Sequence, residues 1–144
     1  MSDPYASIQT DTQVQERLAI VLELRAADAQ QRAMLDCYLT DFNLQNEARV
    51  LDIGCGTGAI ARVLARRPGI ASVVGIDLGE VLLERARKLS SGISNLSFER
   101  GHGRSLRYAD GYFDAVIMHT LLSHVPSPTV VWLRRSACCD QEVW

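Results

Sequence analysis

Apolar side chains change their spacing along this chain, and each change predicts a change of element. From residue 11 to residue 41, Val14, Leu18, Val21, Leu22 and Leu24 recur at helical intervals with Gln, Glu and Arg between them. Asp28-Ala29-Gln30-Gln31 has the form of a capping box and opens a second helix carrying Met34, Leu35 and Tyr38. The pattern breaks between Asn43 and Ala48. Arg49 to Ile53 is a short apolar run ending in glycines, as a buried strand does. Ala59 to Arg67 returns to helical spacing and stops at Pro68-Gly69. Ser72 to Ile76 reads as a second buried strand closing on Asp77. Glu80 to Leu89 reads as a helix with Val81, Leu82, Leu83, Ala86 and Leu89 inward, ended by Ser90-Ser91-Gly92. Leu96-Ser97-Phe98-Glu99 alternates like a third strand, a glycine-rich loop starts at Gly101, and Phe113 to His119 is a fourth apolar strand.

Helices followed by alternating strands and helices predict an α/β fold with a parallel sheet. With 144 residues there is room for one domain. The 15 basic and 17 acidic side chains leave a formal net charge of −2, which offers no electrostatic reason to expect a nucleic acid or an anionic membrane as partner. No apolar run is long enough for a membrane span, and Met1-Ser2-Asp3-Pro4-Tyr5 does not look like a secretory leader. Cys37, Cys55, Cys138 and Cys139 fit neither a zinc-site nor a disulfide spacing, so no metal is expected and a reducing cytoplasm is the expected location.

The candidate chemistry begins at Asp52-Ile53-Gly54-Cys55-Gly56-Thr57-Gly58, between a predicted strand and a predicted helix. Glycines there permit a tight turn and close approach of a ligand, although such a turn also occurs as a purely structural element. A dinucleotide fingerprint is G-x-G-x-x-G. The form here is the more compact G-x-G-x-G, with an acid, Asp52, two positions before its first glycine. Asp77 ends the second strand about 20 residues further on, the separation at which an acid accepts ribose hydroxyls. Its alternative role is to cap the helix starting near Gly79. Leu78 would then lie near the base.

These segments resemble motif I and its partners in class I, Rossmann-like, S-adenosylmethionine-dependent methyltransferases, in particular the ubiquinone/menaquinone-biosynthesis type. Asp110-Gly111-Tyr112-Phe113-Asp114 and the strand after it resemble the same family's fourth-strand segment, with Leu106-Arg107-Tyr108 in place of its usual Leu-Pro-Phe. The likeness runs over residues 45 to 128. It implies S-adenosyl-L-methionine as cofactor, held by Asp52, Gly54, Cys55, Gly56, Gly58, Asp77, Leu78, His102, Gly103 and His119. The family usually carries an Asp where His102 stands, accepting from the adenine amino group. A neutral imidazole can accept one hydrogen bond, stack on the base, or serve only as a loop residue. His119 falls near the expected sulfonium. His124 is either a substrate contact or a helix-start residue. Methyl transfer needs mainly alignment, so no catalytic side chain is assigned.

The family's sheet order is 3-2-1-4-5-7-6, and only four strands are legible here. The expected organisation is therefore a helical cap at 1–44, a cofactor-binding core at 45–128 with partial order 3-2-1-4 and strands 5–7 missing, and an atypical tail at 129–144. Read one base out of frame, the codons for Cys138-Cys139-Asp140-Gln141-Glu142 permit Leu-Arg-Pro-Gly-Gly, the family's sequence before strand 5. The tail is thus either a frameshift product or a genuine unusual terminus, and the coding DNA distinguishes them. Without strand 5, strand 4 would be an apolar edge open to a second copy of the chain. The functional expectation is methyl transfer to a small molecule. A non-catalytic, cofactor-binding remnant, dimeric through strand 4, is one alternative, and a nicotinamide-dependent oxidoreductase is another.

Overall fold

The computed structural model describes residues 11–40, 44 and 47–119. Helices α1 (Thr12–Ala27) and α2 (Ala29–Thr40) precede strand β1 (Ala48–Ile53). Then come α3 (Ala59–Ala65), β2 (Ile70–Asp77), α4 (Glu80–Leu89), β3 (Leu96–Arg100) and β4 (Ala115–Ile117). The strands form one parallel sheet in the order β3-β2-β1-β4. This is the expected α/β, Rossmann-like arrangement. The tail at 129–144, His124 and any further strands lie outside the described residues.

Local chemistry explains the helix starts. The Asp11 carboxylate accepts the amides of Gln13 and Val14 at 2.9 and 3.2 Å and caps α1. Asp28 accepts the Gln31 amide at 2.9 Å, which is half of the predicted capping box. The reciprocal half does not form, because the Asp28 amide donates to the carbonyl of Arg25 and closes α1 instead. Asp28 thus ends one helix and starts the next. Arg32 reaches back from α2 to the last carbonyls of α1, at Ala26 and Ala27.

Packing departs from the periodicity in two places. In α1 the buried positions are Gln15 and Ala19, while Val21 and Leu24 are 49% and 67% exposed. The helix meets the glycine turn through Leu22 and the start of α4 through Gln15, whose Oε1 accepts the Val81 amide. Leu89, expected inward on α4, is also exposed. It is the last residue of that helix, and the chain turns away at Ser90.

Both sheet faces are covered. One carries Val50, Val73, Ala115 and Ile117, packed against Ala61, Leu64 and Ala65 of α3 and Leu39 of α2. Leu39 is 1% exposed, so α2 contributes to the same core as the strands. The other face carries Leu51, Ile53, Ile76 and Val116 beneath Phe113, with Leu106 and Tyr108 of the β3–β4 connection against them. Full burial of side chains this size is worth about 1.5–3 kcal/mol each, which makes this double-faced core the main support of the strand ends that carry the site.

Among the described residues, one ion pair joins α1 to α3. Arg62 gives one arm to both oxygens of Glu23, at 2.9 and 2.8 Å, and the other to the carbonyl of Thr57 at 2.7 Å. The Arg62 side chain is 12% exposed, so solvent screens the pair little. Arg62→Met is expected to cost about 2 kcal/mol in denaturant unfolding. Amide exchange should speed up in α1 and stay unchanged in β1. Equal acceleration in both would mean that the pair supports the whole fold and not the helix.

Candidate cofactor site

The carboxyl ends of β1, β2 and β4 converge on the glycine segment. Register brings Phe98, Gly75, Asp52 and Ile117 into one row across the sheet, from β3 to β4. Asp52 shares the face of Val50, two residues earlier, and is 2% exposed. Its Oδ2 has no hydrogen-bond partner. Burial first, and the nearby Asp77 carboxylate second, push its pKa up to about 7. This strand end therefore holds a sequestered carboxyl whose ionised form lacks a counter-charge.

The turn itself is wound tightly. Gly56 and Gly58 have φ of +55° and +73°, a region that side chains disfavour. A Cβ on Gly58 would stand 2.5 Å from the Phe98 ring, and one on Gly56 would stand 2.8 Å from Leu22 of α1. Gly75 lies under the same ring, where a Cβ would meet Phe98 at 2.7 Å and the Cys55 sulfur at 2.9 Å. Part of the glycine requirement is thus internal: the segment accommodates Phe98 and Leu22 as well as any ligand.

The turn offers backbone donors, and the structure uses most of them. The amides of Gly54 and Cys55 both donate to the Ile76 carbonyl, at 2.8 and 3.0 Å, and Gly58 donates to Cys55. The Gly56 amide donates to Asp77 Oδ2 at 2.8 Å. These bonds fix the shape of the turn and leave the side chains of Asp52 and Thr57 as its unsatisfied polar groups. Thr57, which the sequence reading passed over, is 2% exposed, and its Oγ1 has no partner. Its position inside the glycine run was the available signal.

Asp77 does more than either role considered from sequence. Oδ2 holds Gly56 across the sheet, and Oδ1 accepts the Gly79 amide at 2.9 Å, just ahead of α4. Three backbone amides, of Gly56, Gly79 and Leu78, address this carboxylate, so of its roughly four lone-pair sites about one remains to accept a ribose hydroxyl. Burial raises its pKa, while the amides of Gly79, Gly56 and Leu78 pull it back down. Leu78 follows on the half-buried shoulder of the strand. The Cys55 side chain faces the core at Gly75, and burial, chiefly, raises its thiol pKa. Any ligand contact from Cys55 would come through its backbone.

The loop histidines mark opposite ends of the site. His102 follows β3, tied in by the Gly101 amide, which donates to the Asp77 carbonyl at 3.0 Å. Gly103 beside it is buried. His119 follows β4, which ends two residues earlier than expected. Burial first and the charge of Arg25 second lower the His119 pKa. Three strand spacings separate these edges, about 14 Å. Asp52, Asp77 and the turn are brought together, and the two imidazoles bracket them. Gln15 of α1 was missed from sequence: it is buried, and its Oε1 accepts the Val81 amide at 3.2 Å over the Asp77 shoulder.

S-adenosylmethionine fits this donor set. Its ammonium is complementary to the unpartnered Oδ2 of Asp52, and a ribose hydroxyl to the remaining acceptor capacity of Asp77.

Comparison with known proteins agrees. Residues 50–137 match the family described as "Methyltransferase domain". A ubiquinone biosynthesis O-methyltransferase of Hahella chejuensis is 44% identical over 86 residues, covering 58% of this chain and 35% of that protein. The chain thus spans about a third of the length of that curated relative. A solved S-adenosylmethionine-dependent methyltransferase from Aquifex aeolicus superposes with a TM-score of 0.64 at 21% identity, over 73% of this chain and 57% of that one. The [4+2]-cyclase SpnF superposes with a TM-score of 0.69 at 27% identity, over 76% of this chain and 41% of that one. The chain belongs to the methyltransferase domain family, of class I Rossmann-like fold, for which S-adenosyl-L-methionine is the implied cofactor.

Proposed function

We propose that this chain binds S-adenosylmethionine across the ends of β1, β2 and β3 and serves methyl transfer to a small-molecule acceptor. The observation that carries the reading is Asp52, a fully buried acid with an unpartnered oxygen at the base of the glycine turn. A buried carboxylate without a counter-charge is costly, and a ligand ammonium removes that cost. Asp77 takes the ribose, and Leu78, His102 and Gly103 surround the base. His119 stands at the β4 end, where an acceptor would approach the reactive carbon. The bound cofactor supplies an electrophilic methyl group. The protein's task is to align it and exclude water. The relative's name points to a hydroxyl oxygen as acceptor. Helix α1, resting on Gly56 through Leu22 and on Val81 through Gln15, forms the lid.

Titration of the full chain with S-adenosylmethionine by calorimetry, followed by a methyl-transfer assay, tests the reading. No heat and no thermal shift at millimolar cofactor would sink it. Binding is also expected to depend on pH. The Asp52 pKa of about 7 falls when the ammonium arrives, so binding releases a proton below pH 7. Affinity should climb by up to about tenfold per pH unit toward pH 7 and decline above about pH 8, where the ligand's α-amino group loses its charge. A flat profile from pH 5.5 to 7.5 would remove Asp52 from the ammonium site.

Binding without turnover is the second reading, favoured by the likeness to SpnF, a protein named for a cyclisation. Saturable binding with no transfer to any hydroxylated acceptor would support it. Among the described residues β4 pairs only with β1, so a second copy adding at that edge is part of this reading. Sedimentation equilibrium distinguishes dimer from monomer. No helix among the described residues is long and apolar enough to cross a membrane.

A further inference from the structure

We propose that His102 is a specificity-determining residue that reads the cofactor's purine as a hydrogen-bond donor, engaging a ring nitrogen and not the exocyclic amino group. The inference rests on the reading of the site as an S-adenosylmethionine cradle.

Position comes first. The ammonium-binding acid ends β1, the ribose-binding acid ends β2, and β3 is the next strand in the sheet. Neighbouring strands are about 4.8 Å apart. A ligand anchored at Asp52 and Asp77 therefore carries its base onward to the end of β3, where His102 is the second residue past Arg100. The bond from the Gly101 amide to the Asp77 carbonyl fixes this loop against the ribose site.

Polarity comes second. His102 Nδ1 accepts the amide N–H of Arg104 at 3.1 Å. That bond uses the Nδ1 lone pair, so the ring proton sits on Nε2. Burial first and the Arg104 charge second lower the His102 pKa, which favours the neutral ring. Nε2–H can only donate. Of the roles open to His102, accepting from the adenine amino group is the one this bond disfavours, because the acceptor nitrogen is already committed to the backbone. A donor facing the amino group would be repelled, whereas a donor facing a ring nitrogen is complementary.

The test compares S-adenosylhomocysteine with its analogue in which hydrogen replaces the exocyclic amino group, both titrated into the full chain. The native chain should bind the two within about fivefold of each other, because the amino group has no partner on His102. His102→Asn keeps an oxygen for the Arg104 amide and offers an N–H, so it should preserve that ratio. His102→Asp has the same shape but only acceptors, and should favour the adenosyl ligand by about tenfold or more. Nitrogen-detected NMR of the native chain should find the His102 proton on Nε2. The proposal is overturned by native discrimination of tenfold or more against the deamino ligand, by identical ratios in the Asn and Asp variants, or by a proton on Nδ1. Failure of the native chain to bind S-adenosylhomocysteine at all would overturn the cofactor reading and this inference with it. A wrong ratio with intact binding overturns only this inference.

Discussion

Replacing Asp52 by asparagine should stabilise the unliganded chain at pH 8 and abolish its binding of S-adenosylmethionine. The two effects have one cause. The folded-state pKa of Asp52 is raised from 3.8 to about 7, chiefly by burial. The native state keeps this proton over a range in which the unfolded chain has already lost it. The group's stabilising contribution is complete below about pH 4 and is lost as pH rises through about 7. Three pH units at about 1.4 kcal/mol each make that loss on the order of 4 kcal/mol at pH 8. Asparagine has no charge to desolvate, so the variant should unfold at higher denaturant concentration than the native chain at pH 8. The difference should shrink at pH 5. Meanwhile the ligand ammonium loses its buried counter-charge, and affinity should fall by about a hundredfold or more. Paired denaturation curves at the two pH values and one calorimetric titration check both halves. A destabilised variant at pH 8 would show that Asp52 is held by contacts that favour its charge, contrary to the orphaned oxygen seen here.

Gly58→Ala should be the most damaging conservative change in the turn. The positive φ costs an L-residue about 1 kcal/mol. The new methyl would also meet Phe98 Cζ at 2.5 Å and the Ala86 Cβ at 3.3 Å. The Phe98 ring has little room to move, because Gly75 lies directly beneath it and Cys55 stands beside Gly75. The combined loss should be about 3 kcal/mol or more, a large part of the stability of a chain this size. Phe98→Leu removes the far edge of the ring. In the double variant the total loss should be smaller than the sum of the single losses by about 1 kcal/mol or more. Additive losses would mean that backbone strain, and not the ring, is what the glycine relieves.

The glycine segment illustrates what a linear pattern can and cannot carry. Its position between a strand and a helix, and the acids at Asp52 and Asp77, were legible because strand, turn and helix each leave a local periodic signature. The reason for individual glycines was not. Gly58 and Gly75 are small because a phenylalanine from a strand far along the chain lies across both. Thr57 and Gln15 escaped notice for a related reason: a polar residue becomes significant only when burial leaves it unsatisfied or places it against a distant amide. In α1 the spacing identified the helix but not its buried side, since several of its apolar residues are exposed while Gln15 is enclosed.

His102 shows the same division at the level of one atom. Its presence at the end of the third strand was readable, and so was its departure from the acid expected there. Whether it accepts or donates was not, because that depends on which ring nitrogen the Arg104 amide occupies. The sequence by itself determined the α/β class, the order of the elements and the acids at the strand ends, since these follow from short-range periodicity and turn chemistry. The sheet order β3-β2-β1-β4 is the one the family resemblance implied; the tertiary structure decided the elevated pKa of Asp52, the double duty of Asp77 and the polarity of His102. Each of those depends on burial and on partners brought close only when the strands align, and neither is encoded at any single position.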